Sequence, residues 1–329
     1  MSAPAITAGG TGRTKGFLSS LRGGDAIAHG VAFLFASTVL VVTLVLVWEL
    51  WTHSELSRHK FGFNFLFTQD WDPGNGQFGA LPFVYGTILT SVVALAISVP
   101  LGVGAAIFLA ELAPRRVSDW LTFLVELLAA VPSVIYGLIA VFTLIPLMRD
   151  YIEPLIKHTL GELPAIGRFF SGPATGGGYL TAGVILAIMT FPFIISISRE
   201  ALLEVPRDQR EAALALGATK WESTIQVVVP YARLGIFGSI FLALARALGE
   251  TMAVTMVIGN DTTLHPSLLA SGYTIASVIA NEFAEASDNL HLSSLIEVGL
   301  VLFVITIIIN ALARVLVIAT SGKGTARTS

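Results

Sequence analysis

The sequence contains no cysteine, which excludes disulfides, thiolate chemistry and cysteine-ligated metal. Charge is almost as scarce. Asp, Glu, Lys and Arg make up 12% of the residues, where soluble domains carry about 25%. The 19 basic and 22 acidic side chains nearly cancel, so no basic field points to nucleic acid. The six histidines are scattered without ligand spacing, so no metal or other cofactor is expected. No nucleophile–base constellation suggests catalysis, and a transport role rather than an enzyme is expected. Gly9, Gly10 and Gly12 with Lys15 lack the GxxxxGK[ST] register and the preceding strand of a phosphate loop.

What the chain does have is apolar length: 54% of its 329 residues are hydrophobic. Segments of about 20 apolar residues cross a bilayer. They are expected over residues 31–51, 82–110, 120–147, 179–198, 232–258 and 294–319. The fold class is therefore an all-α polytopic membrane protein. Its expected divisions are a disordered cytoplasmic tail over 1–28, a retained anchor over 29–52 and an aromatic extracytoplasmic loop over 53–81. A core over 82–319 follows, interrupted by a polar loop over 199–230, and a basic tail over 320–329 closes the chain. The alternating Phe61, Phe63, Phe65 and Phe67 of the first loop suit a strand or an interfacial segment. Ser118 or Asp119 suits the cap of the third span, and Ser294 with Glu297 has capping-box spacing for the sixth.

Lys and Arg set the orientation. With both termini in the cytoplasm, the inside holds Arg13, Lys15, Arg22, Arg115, Arg116, Arg199, Arg207, Arg210, Lys220, Arg233, Arg314, Lys323 and Arg327. The outside holds only Arg58, Lys60, Arg149, Lys157 and Arg168. The 199–230 loop then lies in the cytoplasm. Its grammar is helix, turn, helix. Pro206 suits a first helical turn, and good helix formers run from Arg207 to Leu216. Gly217 stands where a left-handed residue ends a helix, Thr219 and Glu222 have the spacing of a capping box, and Pro230 stops the second helix or marks entry to the next span. Ala212, Ala213 and Ala215 give a low surface able to enter a groove on a partner.

Two ionisable residues stand in the fifth span. Arg246 and Glu250 are four apart and would share one helix face. A charge at mid-bilayer costs about 2.5–3.5 kcal/mol on insertion scales and usually faces a bundle interior or a wet cavity. A guanidinium binds oxyanions bidentately, so Arg246 could line the path of an anion, with Glu250 tuning it. The alternative is mutual neutralisation that locks neighbouring helices. Glu126, in the third span, is a third candidate for the pathway and a possible partner of Arg246.

The order Glu211-Ala212-Ala213, three residues, Gly217 and a downstream Pro resembles the EAA loop of permeases in ATP-binding-cassette importers. Three further runs, Arg246-Ala-Leu-Gly-Glu-Thr-Met-Ala-Val254, Glu126 through Gly137 and Ala280 through Glu285, are similar to the phosphate importer permeases of that class. The resemblance covers nearly everything from Gly79 to the sixth span. It implies a five-helix importer-permease core plus one N-terminal helix, in a bacterial inner membrane. It implies that Glu211, Ala212, Ala213, Leu214 and Gly217 make the coupling contact with an ATPase. The implied partners are a second permease of the PstA type, a PstB-type ATPase dimer, a PstS-type extracytoplasmic phosphate-binding protein, and membrane lipid. The competing readings are a permease for sulfate or molybdate, and a proton-coupled secondary transporter using the same charged residues. The second leaves the 199–230 loop unexplained.

Overall fold

The computed structural model describes residues 13–159, 161–163 and 167–321, with side chains described from residue 28 onward apart from 316 and 319–321. The chain divides into two units, residues 1–52 and 53–329. The first is occupied by α1 (Arg13–His53), which exposes a continuous apolar surface including Phe33, Leu44 and Trp48. The helix begins inside the stretch expected to be a disordered tail through residue 28. Once the apolar span has nucleated, Gly23 and Gly24 cost only about 1 kcal/mol each and do not stop propagation. Residues 1–12, and 322–329 of the closing tail, lie outside the described residues.

The second unit runs through α2 (Glu55–Phe61), α3 (Leu81–Ile107), α4 (Arg115–Ala129), α5 (Ser133–Ile139), α6 (Ile145–Leu147) and α7 (Glu153–Thr159). It continues with α8 (Tyr179–Leu203), α9 (Arg207–Ala215), α10 (Lys220–Ser223), α11 (Val229–Leu248), α12 (Met252–Val257), α13 (Ile275–Glu282) and α14 (Asn289–Ser321). Among the described residues there are two isolated bridges, Asp72 with Gln77 and Gly259 with Gly272. Among the described residues, six helical runs are long and apolar enough to cross a membrane: Ala28–His53, Leu81–Leu112, Ser133–Thr159, Tyr179–Leu203, Lys220–Leu248 and Asn289–Val315. The chain is a multi-pass membrane protein.

Among the described residues there are four π turns: Ala140–Leu144, Met148–Ile152 and Thr224–Val228 lie within continuous helical runs, and Phe108–Leu112 ends the run that begins with α3. Each ends two residues ahead of a proline: Pro114, Pro146, Pro154 and Pro230. A proline ring clashes with the carbonyl four residues back and lacks an N–H. A wider turn moves that carbonyl aside and leaves no orphaned donor. Pro230 therefore marks entry to a span without stopping the helix before it.

Three span boundaries differ from expectation. The run expected over 120–147 is broken by Pro132, which adopts φ −58°, ψ 140° at the head of α5. The break separates α4 from Ser133–Thr159, and the Tyr136 hydroxyl bridges it by donating to the Leu128 carbonyl at 2.7 Å. Pro114 stands at the cap of α4. Ser118 lies inside the helix and donates to the Leu109 carbonyl at 2.8 Å, so neither Ser118 nor Asp119 caps it. The fifth run ends at Leu248, with α12 a separate helix. The sixth begins at Asn289, so Ser294 caps nothing and donates instead to the Leu290 carbonyl at 2.8 Å. The reason for the early start is local. His291 in the first turn of α14 stacks on Phe78 with centroids 5.3 Å apart.

That contact belongs to an aromatic core that the alternating phenylalanines concealed. Residues 62–66 form a 3-10 turn rather than a strand. Phe65, Trp71, Phe78 and Phe83 are buried while Phe63 and Phe67 stay exposed. Trp71 meets Phe78 and Phe83 edge-on at 4.8 Å each, and its Nε1 donates to Glu282 at 2.8 Å. A second core surrounds Tyr179, Ala253 and Val257, and a third gathers Ala106, Leu202, Val205, Val228 and Ala232 beneath α9.

Glycines set the closest approaches. A Cβ on Gly183 would sit 2.4 Å from Val93 Cγ1, between α8 and α3, and one on Gly86 would sit 2.0 Å from the Tyr273 carbonyl. Gly86→Ala must push back the backbone just ahead of α13, whose first residue Ile275 donates its N–H to Thr87 Oγ1 at 2.9 Å. A loss of about 1–3 kcal/mol is expected, as for other overpacked cores. Thermal unfolding in detergent checks it, and an unchanged midpoint would contradict the packing described.

Candidate functional site

The polar turn between α8 and α11 is built from local chemistry. Leu202 and Val205 are buried and fix where α8 ends. Pro206 is extended, with φ −57° and ψ 140°, and stands at the cap position rather than inside the first turn of α9. The helix closes in a Schellman arrangement. The Ala218 N–H donates to the Ala213 carbonyl at 3.2 Å and the Gly217 N–H to the Leu214 carbonyl at 3.0 Å. Gly217 takes φ +91°, which a side chain would strain. Thr219 then opens α10 with a full capping box. Its N–H donates to Glu222 Oε2 at 2.8 Å, and the Glu222 N–H donates to Thr219 Oγ1 at 3.3 Å.

The turn displays its helix. No residue of α9 is buried. Glu211, Ala212, Leu214 and Gly217 are exposed and Ala213 is half-buried. Leu216 is 91% exposed and Trp221 56%, far more than isolated surface apolar residues need. Below this surface Arg210 forms a two-pronged ion pair with Glu111 at the end of α3, with Nη2 2.7 Å and Nε 3.1 Å from Oε1. The sequence singles out neither partner: Arg210 counts there only toward the orientation. The pair lies 99 residues apart, and nothing local announces it.

The charged residues expected in the membrane are placed differently from one another. Arg246 occupies the last turn of α11, not the middle of a longer helix. Its guanidinium carbon lies 4.3 Å from the centroid of the Phe193 ring. Its Nε is sealed from solvent with no hydrogen-bond partner. Glu250 follows the helix end at Gly249, so the two residues share no helical face. Among the described residues no ion pair or hydrogen bond joins them. Glu250 instead accepts the Ala253 N–H at 3.3 Å and closes the start of α12, where a carboxylate is favoured. Glu126 is exposed on α4, and no ion pair connects it with Arg246 among the described residues. Nor do the described residues hold a group of three or more His, Asp or Glu that could bind a metal ion.

Among the described residues, six apolar helical runs, with a short amphipathic helix exposed on a capped turn between the fourth and fifth, define a multi-pass membrane protein. The chain belongs to the family described as binding-protein-dependent transport system inner membrane component, whose pattern matches residues 98–320. It is thus one component of a multi-subunit transport system and a transport subunit rather than an enzyme. It is 47% identical over 290 residues to the phosphate transport system permease protein PstC of Mesorhizobium japonicum, covering 88% of this chain and 89% of that one. The protein of the same name from Xylella fastidiosa strain Temecula1 is 47% identical over 262 residues, covering 80% and 81%. That from Haemophilus influenzae is 45% identical over 287 residues, covering 87% and 89%. Among solved structures, a methionine ABC transporter chain in an inward-facing form superposes with a TM-score of 0.50 at 19% identity, over 73% of this chain and 94% of that one. That likeness concerns the fold alone.

Proposed function

We propose that the chain is the transmembrane permease subunit of an ATP-driven inorganic phosphate importer in a bacterial inner membrane. The observation that carries the reading is the 45–47% identity, over most of both chains, to three proteins named phosphate transport permeases. The bias of Lys and Arg supports a cytoplasmic position for both termini and for α9. The partners are a second permease of the PstA type, a PstB-type ATPase dimer seated on α9, and a PstS-type binding protein that delivers phosphate from outside. ATP closes the ATPase dimer, α9 carries that closure into the spans, and the pathway between the two permeases changes the side to which it opens.

Arg246 is the substrate-facing group in this reading. Its guanidinium, with the carbon 4.3 Å from the Phe193 ring centroid and no ion pair among the described residues, offers its Nη N–H groups to an oxyanion, and phosphate accepts two parallel N–H bonds from such a fork. Glu250 holds the α11–α12 break in place beside it. Glu126, exposed on α4, contributes to the pathway only in the assembled pair.

Labelled phosphate and sulfate uptake, measured in cells with and without the chain and before and after ATP depletion, tests the proposal. Deletion is expected to remove ATP-dependent phosphate uptake and to leave sulfate uptake unchanged. Loss of sulfate uptake alone would move the substrate. Uptake that survives ATP depletion and follows the proton gradient would overturn the importer reading.

A further inference from the structure

Arg210 stands immediately before the exposed Glu211 of α9, yet its side chain is only 20% exposed, and that of Glu111 is 12% exposed. The guanidinium is saturated in four directions. Nη2 and Nε donate to the Glu111 carboxylate, at 2.7 Å for Nη2 and 3.1 and 3.3 Å for Nε. Nη2 also donates to the Leu202 carbonyl at 2.7 Å, and Nη1 donates to the Val205 carbonyl. One side chain on α9 therefore grips the π turn that ends α3, the last turn of α8, and the linker between α8 and α9. Among the described residues, no other side chain of α9 forms a hydrogen bond or ion pair outside the helix.

A partly buried ion pair is a poor source of net stability, because desolvation of both charges offsets much of their attraction. Its geometry is specific, however: a planar fork on a carboxylate fixes both distance and orientation. The surroundings reinforce that reading. Glu111 sits on a π turn whose Leu109 carbonyl is taken by Ser118, and Ser118 in turn receives Arg199 of α8 at 3.4 Å. Arg210 therefore ends on this turn directly, and Arg199 reaches it only through Ser118 of α4.

We infer that the Arg210–Glu111 pair is a clasp that makes α9 move as one body with the ends of α3 and α8, so that Arg210 is a positioning residue for energy coupling. The inference rests on α9 being the element that contacts the ATPase. Without the clasp, α9 is held by its two backbone linkers and its packing against Thr224–Val228 and α10, with no side-chain bond to the ends of α3 and α8. Its displacement is then absorbed locally and does not reach the spans. Hydrolysis continues while transport per ATP falls.

The test uses the whole complex, comprising permease pair, ATPase and binding protein, in proteoliposomes, with ATP hydrolysis and phosphate accumulation read in parallel. Arg210→Gln and Glu111→Gln are expected to retain the ATPase through purification and to keep hydrolysing ATP, with phosphate moved per ATP reduced at least about tenfold, within the usual range of coupling between sites. The swapped pair Arg210→Glu with Glu111→Arg restores part of that ratio. Arg210→Lys keeps the charge but loses the fork and is expected to fall between. A wild-type ratio in Arg210→Lys and Glu111→Gln, or hydrolysis and uptake falling in equal proportion in complexes that stay intact, overturns the clasp. If the glutamine variants fail to assemble, the ratio in Arg210→Lys alone decides. Wild-type vesicles that show no ATP-dependent phosphate accumulation would instead overturn the importer reading, a separate and distinguishable result.

Discussion

Replacing Arg246 with Leu is expected to cut phosphate uptake at least about 100-fold, the loss that follows when a desolvated charged hydrogen-bond partner worth ~3 kcal/mol is removed. The ATPase and the binding protein should still copurify with the variant complex. The structural ground is specific. Arg246 makes no ion pair among the described residues, and its guanidinium carbon lies 4.3 Å from the centroid of the Phe193 ring. Leucine packs on the same ring, so the helix end keeps an apolar partner and loses only the charge. Arg246→Lys retains a point charge without the planar fork and should leave intermediate uptake. Glu250→Gln should do least of the three, because its amide oxygen can still accept the Ala253 N–H now held at 3.3 Å. Counting labelled phosphate against copurified ATPase in the three variants separates the outcomes. Intact uptake in Arg246→Leu, or a complex that falls apart, would assign the residue to helix packing instead.

Leu214→Asp combined with Leu216→Asp is expected to abolish retention of the ATPase while leaving the permease itself folded. Leu216 is 91% and Leu214 44% exposed, so neither change removes a core contact, and surface substitutions of that kind usually cost within about 0.5 kcal/mol. At an interface the same two side chains are anchors, and a buried carboxylate facing an apolar groove is repelled. Losses of about 2 kcal/mol or more apiece are usual for such anchors, so the pair should weaken docking by well over 100-fold. Affinity purification through the ATPase, with thermal unfolding of the isolated permease as the control, reads both halves of the expectation. A destabilised permease would mean that α9 packs more tightly than its exposure indicates.

The two sites were legible in the sequence to different degrees. The turn that carries α9 was almost wholly readable, because Gly217, Thr219 and Glu222 act on backbone groups within a few residues of themselves. The charged residues were readable as unusual but not as arranged. Arg246 and Glu250 have i,i+4 spacing, which implies one face only while the helix continues, and Gly249 ends it. Pro132 likewise divides a run whose composition alone reads as continuous. The Arg210–Glu111 and Trp71–Glu282–His291 contacts were out of reach for a different reason. Their partners come from distant segments, and only the packing of α3 on α8, and of α13 on α14, brings them together.

The π turns ahead of the prolines have a consequence for the phase of the third span. An α-helix turns about 100° per residue, so Tyr136, Ala140, Met148 and Glu153 would stand at roughly 0°, 40°, 120° and 260° on an uninterrupted helix. All four are buried, which that scatter cannot explain. Each π turn takes up one extra residue, and discounting one for Ala140–Leu144 and another for Met148–Ile152 returns the four to about 0°, 40°, 20° and 60°. They form one stripe. The inward face of this helix is therefore written in the spacing of its residues from Pro146 and Pro154, and removing either proline would free the rod to unwind toward a different face.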